Sequence, residues 1–118
     1  MTNRPYVPES GDVIWLDFDA EIGHEQPGRR PALVLSPSNY NERMGLLVCC
    51  PMTTQVKSFP FEVALEGART SIVLADQIKS VDWRQRNARY KGKASEAEIA
   101  EVRSKIVALI GYQPSLHL

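Results

Sequence analysis

The chain has 118 residues, 43% of them apolar, which suits one hydrophobic core and is too short for two. Its 14 basic and 14 acidic residues cancel, so bulk charge alone does not call for a polyanionic partner. No stretch approaches the roughly 18 uncharged apolar residues of a membrane span, and Met1-Thr2-Asn3-Arg4-Pro5-Tyr6 lacks the apolar run of a signal peptide, so a cytoplasmic protein is expected.

Short apolar runs bounded by turn residues predict a mainly β body. The first strand is expected from Val13 to Phe18, followed by a long connection from Asp19 to Arg30 and a strand from Ala32 to Leu35. Ser36-Pro37-Ser38-Asn39 reads as a turn. Gly45 to Cys50 is the next strand, with Cys49 and Cys50 alternating to opposite faces as small buried residues, not a disulfide. Phe61 to Leu65, Ile72 to Leu74, Ile78 to Trp83 and Ala88 to Lys93 complete the strands, which are expected to close as a small barrel.

The period then changes. Ser95-Glu96-Ala97-Glu98 has the pattern of a capping box, in which the Ser95 hydroxyl accepts from a first-turn amide and Glu98 reaches back. Ile99, Val102, Ile106, Leu109 and Ile110 follow at helical spacing, and Gly111 suits the left-handed residue after a helix. Pro114 bars simple continuation, so residues 1–118 are expected to form a single domain ending in an irregular tail over 113–118.

Charge is segregated along the chain. Glu9, Asp12, Asp17, Asp19, Glu21 and Glu25 fall in a stretch without Lys or Arg. Lys79, Arg84, Arg86, Arg89, Lys91 and Lys93 are opposed only by Asp82. This allows one face for a polyanion and another for cationic groups, or ordinary solvated strands.

Three segments carry candidate chemistry. Gly23-His24-Glu25-Gln26-Pro27-Gly28-Arg29-Arg30-Pro31 gathers an imidazole, a carboxylate and two guanidinium groups in one loop. Pro31 biases Arg30 to an extended backbone at the mouth of the next strand, where it is either functional or one half of a surface ion pair. Pro51-Met52-Thr53-Thr54-Gln55 places hydroxyls after a strand, suited to capping a turn or to holding a phosphate. In Asp76-Gln77-Ile78-Lys79, alternation makes Gln77 and Lys79 accessible. Trp15 is expected in the core, while Trp83, Phe18 and Tyr90 are open as surfaces on which an unstacked base docks.

Taken in order, these motifs resemble the MazF toxins and their PemK/Kid relatives. The resemblance covers roughly residues 4 to 111. It rests on Gly11-Asp12-Val13-Ile14-Trp15-Leu16-Asp17-Phe18-Asp19, Glu25-Gln26 with Gly28-Arg29-Arg30-Pro31-Ala32-Leu33-Val34, Pro51-Met52-Thr53-Thr54-Gln55 with Phe59-Pro60-Phe61-Glu62-Val63, and Ala75-Asp76-Gln77-Ile78-Lys79-Ser80. It implies an SH3-like barrel of the MazF/CcdB type with a C-terminal amphipathic helix, a homodimer, and a toxin that cleaves single-stranded RNA at short sequences. It also implies a cognate MazE-like antitoxin with an acidic, disordered segment.

The resemblance makes Arg30 and Thr53 the catalytic pair, with Arg29 a neighbouring cation outside it. Asp17, Asp19, Gln26, Thr54, Gln77 and Lys79 are expected to contact RNA. RNA supplies its own nucleophile, the 2′-hydroxyl, so neither a metal nor another cofactor is expected. Glu25 is the first candidate for the base and His24 the second. Asp17 and Asp19 alternate onto one face but have no third clustered ligand that would recommend a metal site.

Two other readings fit the same body. A poison resembling the CcdB toxins, which trap DNA gyrase through the end of the last helix, would need neither Arg30 nor Thr53. A non-catalytic RNA-binding module would use only the basic stripe.

Overall fold

The computed structural model describes residues 5–18, 28–66 and 71–111. Seven strands and two helices follow in the order β1 (Asp12–Phe18), β2 (Gly28–Val34), α1 (Ser38–Met44), β3 (Leu46–Thr53), β4 (Glu62–Leu65), β5 (Ser71–Leu74), β6 (Lys79–Asp82), β7 (Arg89–Lys93) and α2 (Glu96–Ile110). A single 3₁₀ turn, Ala75–Gln77, separates β5 from β6. The strands form one curled, half-barrel sheet in the order β4-β5-β3-β2-β1-β7, with β6 also on β3. Every pairing is antiparallel.

The curl follows from the length of β3. Its first half, Leu46 to Cys49, pairs with β6, whereas Met52 and Thr53 pair with β5. One strand thus carries two successive partners on one edge while β2 lies on the other. Alternation along the central strands feeds two cores. Val13, Leu33 and Cys50 join Ile99, Val102 and Ile106 beneath α2. Ile14, Leu16, Phe18, Ala32, Val34, Cys49 and Trp83 fill the other side. Cys49 and Cys50 are free, buried and on opposite sides as expected, and burial pushes both thiols up to about 12, which leaves them as packing groups.

The Ser95 capping box forms in full. Ser95 Oγ accepts from Glu98 N at 3.1 Å and Glu98 Oε1 accepts from Ser95 N at 2.8 Å. Glu98 Oε2 accepts from Glu66 N at 2.8 Å, which ties the helix to the end of β4. Burial opposes the Glu98 charge, but these donors outweigh it and hold the carboxyl below its ordinary range. Gly11 has φ 93°, a conformation strained for any residue with a side chain, and a Cβ there would stand 2.6 Å from Ile99 Cδ1 and push that side chain aside.

Several expectations need correction. Residues 38–44, of which Ser38 and Asn39 were expected in a turn, form α1, and the Glu9 carboxylate supports its start by accepting from Ser38 N and Ser38 Oγ, both at 3.0 Å. β2 begins at Gly28, and β3 runs through Pro51, Met52 and Thr53, expected to lie beyond the strand. Trp15 is only partly buried and lies under Lys91 Nζ, 5.3 Å from its ring centroid. Trp83 is the core tryptophan, donating from Nε1 to Asn41 O at 2.9 Å. Leu109 and Ile110 are exposed, so the buried helix stripe ends at Ile106.

Of the two readings of the acidic stretch, the described carboxylates Asp12 and Asp17 fit ordinary paired strand residues; Asp19, Glu21 and Glu25 lie outside the described residues. Asp12 accepts from Tyr6 Oη at 2.6 Å and Lys93 Nζ at 3.3 Å, and Asp17 pairs with Arg29. Of the cations, Arg84 lies over Trp83 and Lys91 over Trp15, while Lys79 and Arg86 share the Phe18 ring. Among the described residues, no helix is long and apolar enough to cross a membrane.

Candidate active site

The β2–β3 ladder runs Val34↔Cys49, Leu33↔Cys50 and Ala32↔Pro51. Arg30 and Thr53 each lie two residues beyond the last pair of that ladder, on β2 and β3. Both positions lie on the side of the sheet that carries Ala32, Val34 and Cys49, so they stand where that core reaches solvent. An open cavity of about 450 Å³ occupies this end. Arg30, Thr53, Gln77 and Lys79 line it, with Phe18 and Asp76.

Arg30 makes no hydrogen bond or ion pair with another described residue. The surface ion pair considered for it belongs to its neighbour: Arg29 Nη1 lies 2.6 Å from Asp17 Oδ1. Strand alternation sends the two adjacent guanidiniums to opposite sides, one paired with a carboxylate and one, among the described residues, without an ion pair.

Thr53 takes the turn-capping role expected of it. Its Oγ accepts from Gln55 N at 3.1 Å, which caps the turn after β3. A hydroxyl that accepts one bond still has its proton to donate, so the turn fixes the oxygen and leaves the donor for a phosphate. Thr54 is exposed and lies outside the described lining. Gln77 and Lys79 reach the cavity through the 3₁₀ turn and the start of β6, not through simple strand alternation. Lys79 Nζ and Arg86 Cζ stand 5.4 Å and 5.7 Å from the centroid of the Phe18 ring.

Asp17 sits apart from the cavity. Oδ1 accepts from Arg29, and Oδ2 accepts from Asn87 Nδ2 at 2.8 Å. Asp19, His24, Glu25 and Gln26 lie outside the described residues. Lys57, Phe59 and Glu62, for which no site role was expected, line the cavity together with Gln55 of the Thr53 segment. Glu62 Oε1 accepts from Lys57 N at 3.2 Å and Ser58 N at 3.0 Å, and Lys105 Nζ donates to Pro60 O at 2.8 Å. These bonds hold Phe59 at the rim with 61% of its surface exposed. An exposed aromatic inside the Phe59-Pro60-Phe61 motif was the available signal; its nearness to Arg30 comes from the tertiary fold.

The arrangement can grip a phosphate between a fixed cation and a hydroxyl, with a basic and aromatic rim for what is attached to it. Comparison with known proteins gives the family of the chain. Residues 9–110 match the model of the PemK-like, MazF-like toxins of type II toxin-antitoxin systems. The chain is 51% identical over 112 residues to the Escherichia coli K12 endoribonuclease toxin MazF, covering 94% of this chain and all of that one. It superposes on MazF in a MazE-MazF crystal structure from Deinococcus radiodurans with a TM-score of 0.86 at 47% identity, over 92% of this chain and all of that one. A structure of MazF alone from that organism gives 0.84 at 47% identity, with the same coverage. A strand-end arginine and a turn-capping threonine thus line one cavity in a chain that belongs to the PemK-like, MazF-like toxin family of type II toxin-antitoxin systems.

Proposed function

We propose that the chain is a toxin endoribonuclease that cleaves single-stranded RNA at short sequences, without a metal, in the cytoplasm. The observation that carries this reading is Arg30: a guanidinium with no described partner, lining a cavity together with Thr53 from the neighbouring strand. The name of the E. coli relative, an endoribonuclease toxin, supports the activity.

In this reaction the substrate 2′-oxygen attacks the adjacent phosphorus, the P–O2′ bond forms and the P–O5′ bond breaks. The products are a 2′,3′-cyclic phosphate and a 5′-hydroxyl. A base takes the 2′-hydroxyl proton, and the departing 5′-oxygen receives one. Arg30 holds two phosphate oxygens in its planar fork and offsets the charge that builds on them, and its permanent protonation unsuits it as the base. Thr53 donates to a phosphate oxygen from a hydroxyl already fixed by Gln55 N. Glu25 is assigned the base, with His24 the alternative. Gln26, Thr54, Gln77 and Lys79 are assigned to RNA, and so is Asp19. A gyrase-binding poison would leave Arg30 and Thr53 without a task.

The active form is assigned as a homodimer, and its inhibitor as a MazE-like antitoxin whose acidic, disordered segment covers the Arg30 cavity. The D. radiodurans complex of MazE with MazF supports that partner. Incubation of purified protein with a long unstructured RNA in excess EDTA should give internal cuts ending in cyclic phosphate. A 2′-deoxy substitution at the scissile nucleotide should block cutting while binding persists, and the same preparation should scatter light as a dimer. Activity lost to EDTA and restored by Mg²⁺, or cutting of the deoxy substrate, would contradict this chemistry.

A further inference from the structure

Between Gly28 and Pro31, β2 has strand pairing on one edge only. The ladder to β3 ends at Ala32↔Pro51, while the ladder to β1 continues through Leu16↔Arg30, Asp17↔Arg29 and Phe18↔Gly28. Arg30 therefore stands on a strand end that lacks half of the usual support, although gripping a phosphate demands a fixed guanidinium.

The missing support comes from the turn between β6 and β7. Arg29 Nη1 donates to Asp17 Oδ1 at 2.6 Å and Nη2 to Asn87 O at 2.9 Å. Asn87 Nδ2 donates to Asp17 Oδ2 at 2.8 Å and closes the ring. Asp17 is held by its backbone as well, its N donating to Arg86 O at 2.9 Å and its O accepting from Arg86 Nη1 at 3.1 Å. Asn87 adopts φ 53°, a left-handed conformation that asparagine tolerates better than most residues and that serves this turn. With the Arg29 and Asp17 side chains 39% and 40% exposed, such a pair adds little to stability. Its effect is geometric: three segments are fixed to one another one residue from Arg30, on the side of the sheet away from the cavity.

We propose that Asp17, Arg29 and Asn87 form a positioning clamp for Arg30, and that Asp17 acts through this clamp and not as an RNA ligand. Both Asp17 oxygens are engaged and face away from the cavity, whereas the adjacent Arg30 faces into it. This inference rests on the endoribonuclease reading of the Arg30 cavity.

The test is RNA cleavage under single-turnover and steady-state conditions by Asp17→Ala, Asn87→Gly, Arg29→Ala and Arg29→Lys, with Asp17→Ala also made in an Arg30→Ala background. Asp17→Ala should lower kcat about tenfold with KM unchanged, since a small displacement of a catalytic group is costly while binding elsewhere persists. Asn87→Gly keeps the left-handed turn and the carbonyl that Arg29 uses, and should cause a smaller loss of the same kind. Arg29→Lys, which keeps the charge near Asp17, should recover part of what Arg29→Ala loses. In the Arg30→Ala background, Asp17→Ala should add nothing, because the two act through one guanidinium.

A raised KM with normal kcat would make Asp17 an RNA contact and overturn the clamp. A loss that persists without Arg30, or a lowered melting temperature with normal kcat, would overturn it too. Arg30→Ala that cleaves as wild type would instead overturn the functional reading, so the two failures are distinguishable.

Discussion

Arg29 and Arg30 show how far residue chemistry alone can lead. Either guanidinium suits a phosphate, and either suits an ion pair. The motif selects Arg30, and alternation explains why its neighbour must face the other way, yet no sequence rule reveals that Asp17 and Asn87, far apart in the chain, meet at Arg29. Thr53 was legible as both a turn cap and a phosphate donor, and the geometry lets one hydroxyl serve both. Thr53→Val should therefore lower cleavage by about 10²–10³, the usual loss for a transition-state donor, and Thr53→Ser should restore most of it. Single-turnover rates decide the matter; a Val variant that cleaves at the wild-type rate would remove Thr53 from the chemistry.

At the scale of elements, legibility followed the range of the interactions. The α2 helix is announced by its own Ser95 and Glu98 and ends at its own glycine, so its limits could be read locally. The start of α1 is supported from Glu9, which lies in another part of the chain, and Asn41 is buried by bonds to Pro8 O and Ser36 O. Neither signal is local, so Ser36-Pro37-Ser38-Asn39 read as a turn. The run through Pro51 likewise looked like the end of β3, whereas the strand continues because β5 pairs with Met52 and Thr53.

The Glu98 links carry a pH signature. Its folded pKa is lowered, so its stabilisation is present above the ordinary glutamate range and is lost as pH falls through the lower folded value. The melting temperature of the wild type should fall on acidification below about pH 4.5, and that of Glu98→Gln should fall less steeply over the same range. Parallel curves for the two proteins would show that Glu98 does not contribute this term.

For the molecule as a whole, the number of strands and their succession along the chain were legible in their apolar runs, which also suggested a small barrel, and the family motifs made that barrel SH3-like. What the sequence withheld is the curl that brings β2, β3, the 3₁₀ turn and the 55–62 segment around one cavity. That assembly depends on β3 exchanging β6 for β5 along its length. The exchange also explains why the site gathers residues as distant as Phe18, Arg30, Thr53 and Lys79, with both cores meeting along the same central strands.

RNA cleavage rates of Arg30→Ala and Arg30→Lys beside the wild type show whether this cavity cleaves RNA through Arg30. The alanine variant should lose at least about 10² in rate, and lysine should recover little, because an ammonium keeps the charge without the two-pronged grip. Melting temperatures should barely move, as Arg30 has no described partner to lose. Near wild-type cleavage by both variants would contradict the account and place the active site elsewhere.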